Sequence, residues 1–488
     1  MKIVYISPEV MPFAKTGGLA DIAGTLPKSL QKQGVDITVI TPLYGVTKDC
    51  QYSLLKTDLQ VMVTIDGKRK YGYVYKGFLP DSQVPVYFLY NEQYYARKGL
   101  YNYPGTTRDF EDNSERFIFF DQAVLETIDQ LSIYPDIIHC NDWQTGLIPV
   151  YLKAKYASRK CFLNTKVIMN IHNLAYQGIF WHWDMKLTGL DWSLFNWKQL
   201  EFYGKLNFLK GGIVFSDSIT TVSKTYAQEI QTPEYGAGLD VVLKERAKDL
   251  YGIINGIDCT IWNPETDKFI AANYGIKDLT GKQICKKDLQ RKCKLPGKDV
   301  PVIGMITRLT DQKGLDLIVD IFRDLMKINL QFVLLGTGER RYHELFQDYA
   351  KRFPEKVAVK LTFDERSAHE IEAGADIFLM PSRFEPCGLN QLYSLRYGTV
   401  PVVRATGGLA DTIVDVRSEP ISYGRANGFS FKRYNSDMLF ATIVRVLDFF
   451  KNKVQWIEIM KNGMKQDWSL ERSAGEYVML YKKSIQGG

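Results

Sequence analysis

Residues 15–21 read KTGGLAD, and residues 405–411 read ATGGLAD. The same letters, TGGLAD, stand near both ends of one chain. A tandem repeat would show self-similarity at a short, fixed period, and the sequence has none. The flanking residues say more. Each copy follows a short apolar, β-branched run, IVYIS at 3–7 and VPVVRA at 400–405, and each is followed by a helical pattern. Strand, glycine-rich turn and helix make the first half of a βαβ unit, in which amides at the helix N-terminus face a ligand. One Gly-Gly pair alone is equally explained by a tight turn. Two pairs, each at a strand-to-helix turn, predict two Rossmann-like halves that offer amides to a shared ligand.

Outward from the first copy, continuous β-branched runs alternate with helical stretches: DITVI (36–40), VPVYFL (84–89), DIIHC (136–140), KVIMNIH (166–172) and SITTVS (218–223). Such runs suit parallel strands covered on both faces. The segment 59–79 differs. Two strand-like runs flank Asp66-Gly67, a hairpin signal, and predict an antiparallel insert. A second alternating series begins near residue 300, with VPVIGMI (300–306), QFVLLG (331–336), VAVKLTF (357–363), ADIFLM (375–380) and TVPVVR (399–404). The predicted fold class is α/β, with two Rossmann-like, doubly wound domains facing a central cleft. The stretch 263–300, rich in Lys, Asp and Gly, sets a hinge just before it. The predicted domains are 1–260 and 261–463. Residues 464–488 form a last helix, running roughly over 464–483, that packs back on the first domain. Ligands of such sheets lie outside the carboxyl ends of the strands.

Composition narrows the function. A chain of 488 residues, 45% hydrophobic and 24% charged, is an ordinary globular protein of two or three domains. The net charge of +7 is spread without a Lys/Arg block, which argues against a nucleic-acid partner. Part of it suits an anionic small substrate, or simply a solvated surface. Seven Cys without a C-x-x-C pair predict reduced thiols and a cytoplasmic setting. No apolar run reaches the roughly 18 residues of a membrane span. Ser7, Pro8 and Glu9 interrupt the first apolar run, so it reads as a strand and not as a signal peptide.

Three loops carry groups able to do chemistry. PSRFEPCGLN at 381–390 follows a buried run, which sets Glu385 at a strand's carboxyl end before a helix beginning near Gly388. A carboxylate there either caps the helix or faces a ligand. TRLTDQKG at 307–314 holds Arg308 and Lys313. Such a pair is either a surface feature or a diphosphate site, because Arg offers a fork and Lys a point charge. Lys15 adds a third cation from the first Gly-Gly loop. His139, Asp142 and His172 lie at or just beyond two first-domain strands. A lone His is usually structural, and zinc would need further ligands at short spacing, which do not appear. No Asp-x-Asp pair occurs, so no metal site is predicted. G-T-G at 336–338 lacks the third glycine of a dinucleotide fingerprint.

Taken together, these residues resemble the bacterial glycogen synthases, an ADP-glucose-using family of retaining glycosyltransferases that includes the starch synthases. The motifs are SPEVMPFAKTGGLADIAGTLPKSL (6–30), HCNDWQTGL (139–147), IHNLAYQG (171–178), INGIDCTIWNP (254–264), TRLTDQKGLDLI (307–318), the stretch from PSRFEPCGLN to ATGGLADT (381–412) and DWSLERSAGEYVMLY (467–481). The resemblance spans nearly the whole chain. It implies a GT-B fold and transfer of glucose from ADP-glucose to the non-reducing 4-hydroxyl of an α-1,4-glucan such as glycogen, with retention and without metal or cofactor. It assigns Lys15, Gly18, Asp21 and Asn255 to substrate binding from the first domain. From the second it assigns Phe363, Cys387, Gly388, Leu389, Thr406, Gly407 and Gly408. Arg308 and Lys313 would hold the leaving diphosphate, Glu385 would lie near the transferred glucose, and His172 and Asp142 would line the sugar side.

Two departures stand out. Asn141 occupies a position where the family often has His, which removes a chargeable group. Phe363 stands where a Tyr often stacks on adenine, keeping the ring without the hydroxyl; a core aromatic closing its strand is the other reading. Starch synthesis, a UDP-glucose-dependent transferase of the same fold and an inactive glucan-binding scaffold are the alternatives. Oligomeric state, processivity and regulation are open at this level.

Overall fold

The computed structural model describes residues 1–48, 52–106 and 108–486. The chain divides into two compact units, Met1–Asn255 with Leu470–Gly488, and Gly256–Ser469.

The first unit is built on β1 (Lys2–Ile6), β2 (Asp36–Pro42), β3 (Leu55–Ile65), β4 (Lys68–Phe78), β5 (Pro85–Tyr90), β6 (Ile137–Asn141) and β7 (Lys166–Ile171). A small antiparallel sheet of β8 (Ile179–Phe180), β9 (Glu201–Phe202) and β10 (Lys205–Asn207) follows, before β11 (Ser218–Thr221) and β12 (Leu250–Gly252). The main sheet has nine strands in the order β12-β11-β7-β6-β1-β2-β5-β4-β3. Pairings from β12 to β5 are parallel, and β3 and β4 run antiparallel. The 59–79 hairpin is thus an edge of the main sheet. Its turn residues Asp66 (φ 47) and Gly67 (φ 72) both adopt positive φ, as a two-residue turn matching the strand twist requires.

Both faces of the parallel strands are covered, so β1, β6 and β7 are nearly all buried. One cover is the helix Leu470–Gln486, which packs on Gly18–Lys32. Its Leu470, Ala474, Tyr477 and Tyr481 share a core with Ile3, Tyr5 and Ile137. It starts at Leu470 rather than near 464 because the preceding helix runs to Met464 and Ser469 donates to Asp467 Oδ1 at 2.9 Å, turning the chain.

The second unit carries β13 (Val302–Ile306), β14 (Gln331–Leu335), β15 (Val357–Lys360), β16 (Ile377–Met380), β17 (Val400–Arg404) and β18 (Phe429–Phe431). Their order is β15-β14-β13-β16-β17-β18, parallel throughout. The strand expected at 357–363 ends at Lys360, whose carbonyl accepts the Gly336 amide as the last ladder bond. Phe363 lies beyond it and is 79% exposed. That exposure removes the reading of Phe363 as a core aromatic.

Six cysteines are free thiols, and Cys50 lies outside the described residues. No helix among those residues is long and apolar enough to cross a membrane.

Candidate functional site

Each main sheet reverses its winding once. β1 lies between β2 and β6, and β13 lies between β14 and β16. In open α/β sheets, ligands collect outside the carboxyl ends of strands at this reversal. Most of the predicted groups of each unit lie on the loops there, whereas Phe363 follows the edge strand β15 and Asn255 the edge strand β12.

In the second unit the loop after β13 carries Arg308 and Lys313, and the loop after β16 carries Glu385. Lys313 Nζ lies 2.7 Å and 3.0 Å from the two carboxylate oxygens of Glu385. Both side chains are largely buried. Ser382 Oγ donates to Glu385 Oε2 at 2.9 Å. Glu385 therefore does not cap a helix; the following helix starts at Asn390. Arg308, five residues before Lys313, is exposed and makes no ion pair among the described residues. The two cations expected to act as a pair thus differ: one is already matched with a carboxylate and one stands open.

The third loop, Thr406–Gly408, is wedged against the second. Gly408 N donates to the carbonyls of Glu385 and Pro386, both at 3.1 Å. A methyl group on Gly407 or Gly408 would overlap the carbonyl oxygens of Glu385 and Cys387, respectively. Gly407 also has φ +45. Only glycine combines that backbone with that clearance. Cys387 is buried, Gly388 turns with φ +70, and Leu389 precedes the helix. Gln391 Nε2 holds this turn by donating to the carbonyls of Cys387 (3.0 Å) and Gly388 (2.9 Å).

In the first unit, Gly18 opens the helix that follows β1, and Lys15 pairs with Asp21 at 2.6 Å. The loop amides do not all point outward as expected. Those of Thr16 and Gly17 donate to the Glu9 carboxylate, which also accepts Thr16 Oγ1 at 2.5 Å and Tyr101 OH at 2.9 Å. Glu9 is buried and fills the place proposed for a ligand group. The second copy departs in the same way through Gly408 N. Periodicity and turn chemistry do not say that Glu9, seven residues before Thr16, accepts its amide, or that Ser382, three residues before Glu385, donates to its carboxylate, so sequence reasoning passed over both.

Asp142, just past β6, adopts φ 56, ψ −178. That region is essentially reserved for glycine, and a residue held there carries about 1–3 kcal/mol of strain. Its amide donates to Asn170 O at 2.9 Å, and its Oδ1 accepts the His172 amide at 2.8 Å. Burial pushes its carboxyl up to about 7, against the backbone amides of His172 and Asn173, with the Glu9 charge adding to the rise. A carboxyl titrating there suits proton transfer near neutral pH.

Burial holds the His172 imidazole down to about 3, so it is neutral. Its Nε2 lies 3.0 Å from both Asn141 Oδ1 and Asn170 Nδ2. Asn141 donates in turn to Ile6 O at 2.9 Å and accepts Tyr5 OH at 3.2 Å. The Asn at this position is therefore a link in a neutral network. His139 is fully buried, with Nδ1 2.7 Å from Tyr481 OH, and is structural. Asn255 follows β12, is buried and leaves its Oδ1 without a partner among the described residues. It joins neither cluster's hydrogen bonds. Those residues hold no group of three or more His, Cys, Asp or Glu converging as metal ligands.

The chain matches the starch synthase catalytic domain over residues 2–245 and the group 1 glycosyl transferases over residues 286–462. It is 49% identical over 491 residues to a glycogen synthase of Thermosipho africanus, covering 99% of each chain. A glycogen synthase of Thermotoga maritima is 47% identical over 492 residues, again with 99% of each covered. Among solved structures, the catalytic domain of starch synthase IV from Arabidopsis thaliana, bound to ADP and acarbose, superposes with a TM-score of 0.89 at 34% identity over 99% of both chains. A sucrose-phosphate synthase from Thermosynechococcus elongatus, at 16% identity and a TM-score of 0.60, shares the fold. With both sheets doubly wound and both domain families matched in order, the chain belongs to the glycogen and starch synthase family of two-domain GT-B glycosyltransferases.

Proposed function

We propose that this protein is a cytoplasmic enzyme that transfers glucose from ADP-glucose to the non-reducing 4-hydroxyl of an α-1,4-glucan, with retention, extending glycogen. The observation that carries the reading is the Lys313–Glu385 pair at the winding reversal of the second sheet, beside the open Arg308. A transferase acting without metal must stabilise charge on the departing diphosphate with its own cations, and a dry, preorganised site makes them effective. In this reading Lys313 turns from Glu385 to the diphosphate as ADP leaves, and Arg308 grips it as a fork. The freed carboxylate of Glu385 then lies near the sugar carbon that gains positive character. Attack comes from the face the phosphate leaves.

Amides at Cys387, Gly388 and Leu389 take sugar hydroxyls, and the Thr406–Gly408 loop borders the donor. The exposed ring of Phe363 stacks on adenine. Lys15, Gly18, Asp21 and Asn255 bind substrate from the first unit, with Asp142 and His172 on the sugar side. The ADP of the solved starch synthase favours an adenine-nucleotide donor for this chain, and the names of its bacterial relatives favour glycogen as product. A donor panel tests the reading. With glycogen as acceptor, incorporation from ADP-glucose well above that from UDP- or GDP-glucose supports it. Equal or faster transfer from UDP-glucose overturns the donor assignment.

A further inference from the structure

Four of the chain's eight Trp, namely Trp181, Trp183, Trp192 and Trp197, fall within one short segment. All four are exposed, at 63%, 48%, 43% and 68%. Trp is among the most buried residue types on average, so a cluster of exposed indoles calls for a ligand. The rings touch in series. Trp181 lies 6.4 Å from Trp183, Trp183 lies 5.7 Å from Trp192, and Trp192 lies 5.7 Å from Phe195, with His182 5.2 Å from Trp183. The indole N–H groups of Trp181, Trp183 and Trp192 donate to no protein acceptor among the described residues. The platform is rigidly founded. The β8-β10-β9 sheet flanks it, and Met185, Leu190, Leu200 and Leu206 are buried in the same segment.

Two features identify what covers it. The first is continuity with the candidate site. The chain leaves β7, passes His172 and reaches Trp181 through β8, where Phe180 packs 5.5 Å from Trp143, the neighbour of Asp142. The second is charge. On a protein of net charge +7, residues 176–203 hold three acidic groups (Asp184, Asp191, Glu201) and two basic ones (Lys186, Lys198), so they are nearly neutral. That does not suit an anionic lipid surface or a nucleic acid. Flat apolar faces with N–H donors at their edges suit a neutral polyhydroxylated chain, whose sugar rings present C–H faces and hydroxyl rims.

We propose that Trp181, Trp183 and Trp192 form a docking platform for an α-1,4-glucan, separate from the reacting groups, that holds a long acceptor while its end is extended. The proposal rests on the reading of the acceptor as an α-1,4-glucan.

The test compares the wild-type chain with a Trp181→Ala/Trp183→Ala/Trp192→Ala variant. Mobility is read in native gels containing glycogen, and kinetics with glycogen and with maltotriose, an acceptor of only three glucose units. Glycogen should retard the wild type and retard the variant much less. The variant's KM for glycogen should rise roughly tenfold, equivalent to about 1.4 kcal/mol, with kcat/KM for maltotriose unchanged. Trp→Phe at the three positions, which keeps the rings, should restore retardation. Unchanged retardation and glycogen KM would overturn the platform. So would a parallel loss with maltotriose, which means a structural role, or a changed oligomeric state by light scattering, which means contact between copies. A wild type that transfers glucose to neither acceptor sinks the proposed function instead, and the gel still decides the platform.

Discussion

In the first TGGLAD loop, residues 15–18 are exposed, and a methyl group on Gly17 would meet nothing within 4 Å. In the second, residues 406–409 are buried, and Gly407 and Gly408 lie against the carbonyls of the Glu385 loop. The same letters make a strand-to-helix turn in both places. The first turn is held by a side chain, through the four hydrogen bonds that Glu9 accepts. The second is held by backbone contact, and it fixes the segment bearing Glu385. A motif therefore sets a local path, while its surroundings decide whether its glycines supply conformational freedom or clearance.

The comparison is sharpened first at the group the second loop helps to position. Lys313→Ala should lower kcat by roughly 10²–10³ with little change in donor KM, as for removal of one preorganised donor. Steady-state kinetics on material whose circular dichroism matches wild type decide it; a rise in KM alone would mean uniform donor binding. Next comes clearance. Gly408→Ala forces a methyl group into the Cys387 carbonyl and should cost about 3 kcal/mol in denaturant unfolding, the scale of an overpacked interior. A variant as stable as wild type would show that this loop can yield.

Glu9→Ala probes the first loop's support. Loss of an acceptor for two loop amides should cost about 1–2 kcal/mol, as for a strong helix cap, and should raise the donor KM. A neutral result would leave the first loop without its proposed anchor.

Asp142 adds a pH signature. Its folded value of about 7 lies above its ordinary 3.8, so the folded state holds the proton more tightly than the unfolded chain. Its contribution to stability therefore declines as pH rises towards 7. Asp142→Asn should gain melting temperature over wild type progressively from about pH 4 to pH 7 and keep a constant lead above it; a gap that stays flat from pH 4 to pH 7 contradicts the raised value. Gly17→Ala closes the series. With extended backbone at φ −153 and open space around it, it should change stability by less than about 0.5 kcal/mol. A larger loss would erase the contrast between the loops.

Much of this was legible before any coordinates. The β-branched runs named both sheets, and Asp66-Gly67 named its turn, because hydrophobic period and turn chemistry are written within a few residues. The candidate site loops could be placed because they follow buried strands. What local patterns missed was partnership. Lys313 and Arg308 look alike on one loop, yet one is bound to Glu385, 72 positions away, and the other is open. The end of β15 was misjudged because LTF is as strand-like as VAVK, and only the last ladder bond, to Lys360, ends the strand.

The sequence by itself determined the order of elements, the two-domain α/β architecture and the position of the candidate site loops after their strands, since each follows from periodicity and turn residues over short spans. The tertiary structure alone decided which carboxylate took which cation, where the loop amides pointed, and that four Trp stand outside the core. Those outcomes depend on which distant strands become neighbours, and no local spacing in the chain encodes that.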